Sequence, residues 1–273
     1  NADAKIDDEY IVFDQLKKNV NSFKSYTTFI KTNTKLTQPY WLENTMEKGS
    51  FTVIDQQHIG KGESDPLSVV LGMMIEGREF EFKKPIRYKF TDPVKGELYQ
   101  PLNIIPVADV KLDKDVYLIR QKDSIVANLK ITPNISIKQD TRMGGSFLNE
   151  GINKKQELFR LDNFIKDVPT SIQFKSNNDI LGKSSSLLSA NVKPLDVVNF
   201  GTDSYRRIIN YDHIPSIIYQ KKATAKVVYL DFRTEGNLVG YIPGAGDKIP
   251  EALELMGYKV IILKESDLVA EKL

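Results

Sequence analysis

Ile86-Arg87-Tyr88-Lys89-Phe90 sets Ile86, Tyr88 and Phe90 on one side of an extended chain and Arg87 and Lys89 on the other. Side chains alternate across a strand with period two, so this stretch reads as a half-buried β-strand. The runs around it have the same character. Ile11-Val12-Phe13, Phe51-Thr52-Val53-Ile54, Leu67-Ser68-Val69-Val70-Leu71 and Phe80-Glu81-Phe82 are short and β-branched or aromatic. Gly49, Gly60-Lys61-Gly62, Gly77, Asp92-Pro93 and Lys95-Gly96 separate them with turn chemistry.

A second series starts near Val116. Val116-Tyr117-Leu118-Ile119 and the alternating stretch 125–131 read as a hairpin joined by Gln121-Lys122-Asp123-Ser124. Further strands are predicted at 135–139, 156–161, 171–175, 185–192 and 227–232, and the stretch 140–153, with Gly144, Gly145 and Gly151, as a mobile loop. Short strands at this spacing predict a mainly β chain built from two tandem β-sandwich, Ig-like domains over 1–110 and 111–234. The boundary is placed at 108–114, after Pro101 and Pro106.

The pattern changes after Arg233. A strand over 237–242, a tight Pro243-Gly244-Ala245-Gly246-Asp247 loop, a helix over 249–256 with Pro250 in its first turn, and a strand over 258–263 make one βαβ unit. Gly257 stands where a helix stop belongs. Residues 235–273 therefore read as the start of an α/β domain that needs more strands than remain, and the chain is expected to end inside it. Asn1-Ala2 reads as the remainder of a cleaved tag.

The balance of charge excludes some partners. Thirty-eight basic and 36 acidic side chains leave +2, so no counterion-release drive onto nucleic acid is expected, and no polybasic run addresses an anionic membrane. No apolar stretch is long enough to span a bilayer. The absence of cysteine removes disulfides, thiolate metal sites and a cysteine nucleophile.

Catalytic constellations are scarce. The two histidines, His58 and His213, have no ligand-spaced neighbours and fall in different expected sandwiches, so both read as structural rather than as part of a zinc site. There is no G-x-S-x-G, and Ser171 and Ser185 lie in ordinary strand contexts. Asn177-Asn178-Asp179 and Asp113-Lys114-Asp115 do not match a calcium loop. Gly244-Ala245-Gly246 before a helix invites a phosphate, and Glu265 stands near the place of a ribose-binding acid. Ile249 replaces the third glycine, however, so the loop reads as a sharp β-to-α turn with Asp247 as a helix cap. No catalytic and no metal-binding residue is assigned. Tyr40-Trp41, with the only tryptophan, is the candidate glycan-stacking platform, with a place in the core as the alternative reading.

Three blocks carry a resemblance. They are Thr37-Gln38-Pro39-Tyr40-Trp41-Leu42-Glu43; Tyr88-Lys89-Phe90-Thr91-Asp92-Pro93-Val94-Lys95-Gly96-Glu97-Leu98-Tyr99 with Pro101-Leu102; and Tyr211-Asp212-His213-Ile214-Pro215 followed by Gly240-Tyr241-Ile242-Pro243-Gly244-Ala245-Gly246-Asp247 and Pro250-Glu251-Ala252-Leu253. Together they resemble the C-terminal region of the PIG-L/LmbE-type N-deacetylases of Bacteroidetes-like bacteria, over about residues 6 to 273. The resemblance implies β-sandwich modules followed by a class I glutamine amidotransferase-like domain, of which only the start is present. It also implies a zinc-dependent deacetylase domain ahead of them, with an Ala-His-Pro-Asp-Asp type motif. Neither His58 nor His213 is followed by Pro-Asp-Asp, so no zinc or catalytic residue carries over and no cofactor is expected in this chain.

The expectation is thus a non-catalytic accessory region of an extracytoplasmic N-deacetylase, partnered by its own catalytic domain and binding glycan through Tyr40 and Trp41. The alternative is a protein-interaction or dimerisation module with no role in sugar binding.

Overall fold

The computed structural model describes residues 2–6, 9–13, 17–27, 34–44, 46–60, 67–120, 124–137, 143–149, 155–161, 164–176, 185–194, 201–214 and 216–269. It divides into two units, Asn1–Pro106 with Tyr205–Lys221 and Val107–Ser204 with Lys222–Leu273. The chain is mainly β: among the described residues, strands dominate and there is one α-helix.

Unit 1 opens with β1 (Ala2–Ile6), β2 (Glu9–Phe13), β3 (Ser68–Ile75) and β4 (Arg78–Pro85), antiparallel in the order β2-β1-β3-β4. Glu76 and Gly77, at φ 48° and 78°, close the β3–β4 hairpin. Positive φ at both central residues is the demand of a type I′ turn, whose twist matches the strands it joins. β5 (Arg87–Asp92) and β6 (Gly96–Pro101) make the next hairpin. At its tip the Asp92 carboxylate accepts from the amides of Val94 at 2.8 Å and Lys95 at 2.7 Å. The face predicted to be buried is covered only in part: Ile86 and Phe90 are half-buried, whereas Tyr88 is exposed and stacks on Phe90 at 5.7 Å. The predicted strand at 51–54 is irregular.

Unit 2 contains β7 (Ala108–Leu112), β8 (Val116–Ile119), β9 (Ile125–Pro133), β10 (Met143–Asn149), β11 (Lys155–Leu161), β12 (Thr170–Ser176) and β13 (Ser185–Pro194). Next come β14 (Ser204–Ile209) and β15 (Ile217–Lys222), a hairpin lying almost wholly in unit 1, and then β16 (Thr224–Tyr229) back in unit 2. One sheet runs β11-β10-β13-β16-β8 and the other β12-β9-β7. Their inner faces share one core. Ala108, Val110, Ile125, Ala127, Leu129 and Ile131 come from the smaller sheet, and Phe147, Leu188, Val192 and Val227 from the larger. Phe147 and Phe174 stack across it at 4.9 Å. Every member of the buried hydrophobic cluster among the described residues belongs to unit 2.

Four local expectations change here. The stretch 108–114, taken as a boundary, begins with β7, whose Ala108, Val110 and Leu112 are buried. β8 and β9 do not pair with each other. β8 runs parallel to β16 and β9 is antiparallel to β7 and β12, because successive strands go to opposite sheets. The stretch predicted as a glycine loop holds the buried strand β10; at Gly145 a Cβ would collide with the Asn191 carbonyl and the Phe159 ring, so close packing rather than mobility requires the glycine. Residues 135–137 are irregular, and the rest of that predicted strand lies outside the described residues.

The crossing from β7 to β8 is pinned by Asp113. Its carboxylate accepts from the Asn128 amide at 2.9 Å, from the Asn128 side chain at 3.3 Å and from the Tyr117 hydroxyl. Burial first, and then the adjacent Asp113 carboxylate, drives the Tyr117 phenol far above its ordinary ionisation range.

After β16 come β17 (Leu238–Tyr241), α1 (Ile249–Leu255) and β18 (Lys259–Ile262), and β17 and β18 pair in parallel as the βαβ reading requires. Arg120 donates to the Met256 carbonyl at 2.9 Å, just past the helix, and lies 5.1 Å over the Phe232 ring. A cation there complements the negative end of the helix dipole.

Asp113→Ala is expected to leave the buried Tyr117 hydroxyl and the Asn128 amide without their acceptor, costing about 1–3 kcal/mol. Amide hydrogen exchange along β8 and β16 should accelerate by roughly tenfold or more if the crossing opens by that amount. Unchanged exchange there would show that the corner holds itself.

Candidate functional site

Tyr40 and Trp41 sit on a short 3-10 turn, Tyr40–Leu42, that starts at Pro39. Proline with its fixed φ suits the entry to such a turn, and Leu42 N closes it on the Pro39 carbonyl at 2.9 Å. The two residues before it tie the turn down. Thr37 is buried; its amide donates to the Ile104 carbonyl at 2.8 Å and its hydroxyl accepts from the Ile104 amide at 2.7 Å. Gln38 donates its side-chain amide to the Leu42 carbonyl, and its Oε1 accepts from the backbone of Gln220, on β15, at 2.8 Å.

The pair is neither core nor fully free. Both rings are half-buried and meet edge to face, with centroids 4.9 Å apart at 87°. A second 3-10 turn, Gln56–His58, brings an imidazole beside them, and the His58 ring lies 6.0 Å from Tyr40. Asp55 caps that turn by accepting from Gln57 N at 2.9 Å, and the Tyr40 hydroxyl accepts from Gly60 N at 3.3 Å. His58 Nε2 stands 3.7 Å from Asp55 Oδ2, with both side chains half exposed. That separation exceeds a hydrogen bond, so the two groups attract weakly and form no proton relay. The arrangement offers aromatic surface with an imidazole and a carboxylate on its rim. This suits stacking and hydrogen bonding.

His213 lies elsewhere in the same unit, stacked on Tyr211 at 5.8 Å beside Asp212, which pairs with Lys95 at 2.9 Å. The expectation that the two histidines fall in different domains is therefore corrected: the chain returns to unit 1 over Tyr205–Lys221 and carries His213 with it. Among the described residues no group of three or more His, Cys, Asp or Glu side chains is placed to hold a metal ion. Ser171 and Ser185 lie on β12 and β13 as expected. Asn177-Asn178-Asp179 lies outside the described residues.

The Gly244-Ala245-Gly246 loop is already occupied. Asp247 Oδ2 accepts from Gly244 N at 2.9 Å and from the Tyr241 hydroxyl at 2.7 Å. A carboxylate on the loop amide takes the place an anion would need and repels a phosphate. Asp247 is not itself the N-cap, which is Lys248 without a side-chain cap bond, but its carboxylate accepts from the amide of Ile249, the first residue of α1. The Tyr241 hydroxyl bond, with smaller help from the Gly244 and Ile249 amides, holds the Asp247 carboxyl below its usual range.

Residue type alone singles out Tyr40 and Trp41 as the candidate pair, and no sequence pattern shows what holds them. Thr37 and Gln38 were visible only as neighbours; their partners Ile104 and Gln220 lie 67 and 182 residues away, and no local pattern announces such bonds. The side-chain amide of Gln220 is itself buried, with neither its oxygen nor its nitrogen hydrogen-bonded. No protein-family model matches the chain, and no curated protein matches it. No helix among the described residues is long and apolar enough to cross a membrane.

The lowered Asp247 pKa fixes the direction of a pH effect. Its contribution to stability is fully present above the unfolded carboxyl value, 3.8, and is lost as pH falls through the lower folded value. A carbon-detected NMR titration should place the Asp247 midpoint below 3.8, and Asp247→Asn should remove the acid-side loss at the Gly244 amide. A midpoint at or above the ordinary value would refute the bonding scheme. Inorganic phosphate should not shift the Gly244 amide at neutral pH.

Proposed function

We propose that this chain is a non-catalytic accessory region that presents a glycan-binding platform, as expected for the region following an N-deacetylase domain. The observation that carries the reading is the clamped Tyr40–Trp41 pair, half-exposed and rimmed by His58 and Asp55. Aromatic rings present broad apolar faces on which the C–H surface of a pyranose can lie, and polar groups around them bond the hydroxyls. A platform of this kind works only if held rigid, and the Thr37–Ile104 and Gln38–Gln220 bonds supply that rigidity. On this reading zinc belongs to a separate catalytic domain, the compartment is extracytoplasmic, and the module places substrate glycan near that domain.

Unit 2 supports the same reading as a spacer. Its strand order, three strands in one sheet and five in the other with β8 parallel to β16, favours an immunoglobulin-type sandwich, a fold that commonly serves as a rigid module between other domains.

Titration with N-acetylglucosamine oligomers, followed by the fluorescence of the only tryptophan, tests the platform directly. Saturable quenching or a blue shift is expected, and Trp41→Ala should abolish binding measured by calorimetry. Gln38→Ala should weaken binding by about 1–2 kcal/mol while Trp41 stays in place, because both bonds of its side-chain amide are lost, to the Leu42 carbonyl and from the Gln220 backbone. Flat titrations across N-acetylated and deacetylated oligomers would sink the glycan reading. Stoichiometric zinc that survives dialysis and is lost in His58→Ala would overturn the non-catalytic one.

A further inference from the structure

The β3–β4 hairpin leaves both an edge and a face open. β4 is the outer strand of its sheet among the described residues, and every residue from Arg78 to Lys84 is exposed. An outer strand offers unpaired N–H and C=O groups to another chain. The register Ile75↔Arg78, Met73↔Phe80 and Leu71↔Phe82 places Phe80 and Phe82 on the same face as Leu71, Met73 and Ile75. Phe80, Phe82 and Ile75 are 41%, 40% and 49% exposed, so the middle of that face is apolar and open, with Arg78 and Lys84 at its two ends along β4.

The turn decides which backbone groups point outward. Ile75 and Arg78 close a two-residue hairpin as a hydrogen-bonded pair, so Phe80 and Phe82 use their backbone groups on β3. Ile86 N donating to the Leu67 carbonyl at 3.1 Å keeps the same phase at the far end. The groups of Glu79, Glu81 and Lys83 therefore face away from β3.

We infer that β4 pairs antiparallel with β4 of a second copy of this chain, about a twofold axis through Phe82. Opposed residues of an antiparallel pair share a face, so the axis must pass through a residue rather than between two. Through Phe82, Glu81 of each copy faces Lys83 of the other, and their outward N–H and C=O groups exchange both hydrogen bonds. Phe82 meets Phe82, and Phe80 meets the Lys84 stem. Through Glu81 instead, Glu81 would oppose itself and Arg78 would oppose Lys84. Opposite charges across a ladder stabilise it and like charges destabilise it, which selects the Phe82 axis. The apolar faces of the two copies then join into one continuous surface, and Pro85, without an N–H, marks the end of the ladder. A single edge pairing lies at the small end of interfaces, so the dimer is weak and concentration-dependent.

Sedimentation velocity on the full chain, over a series up to millimolar, should show a monomer–dimer equilibrium. Glu81→Lys should weaken it by about tenfold or more, and the double variant Glu81→Lys with Lys83→Glu should restore it, since exchanged charges remain complementary only about Phe82. Glu81→Pro removes an outward N–H without touching the β3 ladder and should give monomer with unchanged far-ultraviolet circular dichroism. The chain has no cysteine, so Phe82→Cys should cross-link two copies under mild oxidation whereas Phe80→Cys should not. A monomer at every concentration, a dimer that survives Glu81→Pro, or a charge swap that fails to restore association would each overturn the inference.

Discussion

The Asp113 carboxylate is the hinge of unit 2. In three residues the chain must leave β7 in one sheet and begin β8 in the other, and one side chain holds both ends of that step through Asn128 and Tyr117. If β8 stayed with β7, it could not reach β16, and the larger sheet would end one strand short. The core depends on that crossing as well: Tyr117 and Ile119 from β8 are buried against the same cluster as Val110 and Leu112 from β7. A short polar contact at the margin therefore decides how the apolar interior is assembled.

Much of the fold was legible wherever alternation and turn chemistry agreed. β9 alternates buried and exposed along its length, and its sequence pattern gave it away. The βαβ segment was also legible, because Pro250 and Gly257 bracket a short helix between two apolar runs. What failed was pairing. Strands adjacent in sequence were expected to pair, but β8 and β9 enter different sheets, and nothing within Val116-Tyr117-Leu118-Ile119 specifies a partner more than a hundred residues away. β10 failed for another reason: Gly144 and Gly145 carry a turn-like composition, although glycine at 145 answers the close approach of Asn191 and Phe159. At the candidate site the aromatic pair could be read from type alone. The clamp from Thr37 and Gln38 could not, since polar side chains announce a capacity to bond and not the identity of the partner.

The two units differ in what stabilises them. Unit 2 has a continuous buried cluster, while the described residues of unit 1 rely on hairpins, long-range polar clamps and partly covered rings such as Tyr88 on Phe90. Several aromatic side chains of unit 1, Phe80, Phe82, Tyr88 and Tyr99 among them, stay exposed. That is a poor arrangement for stability, and a suitable one for a surface that meets ligands or other chains.

The parallel ladder between β8 and β16 also has a mechanical meaning. Tension entering ahead of β8 and leaving after β16 pulls these strands along their own axes in opposite directions. The bonds between Val116–Ile119 and their partners are then loaded in shear, all at once, rather than peeled one by one. Forced opening is limited by the rate of that collective rupture. Under such a load the unit would hold according to the rate of that rupture and not according to its equilibrium stability.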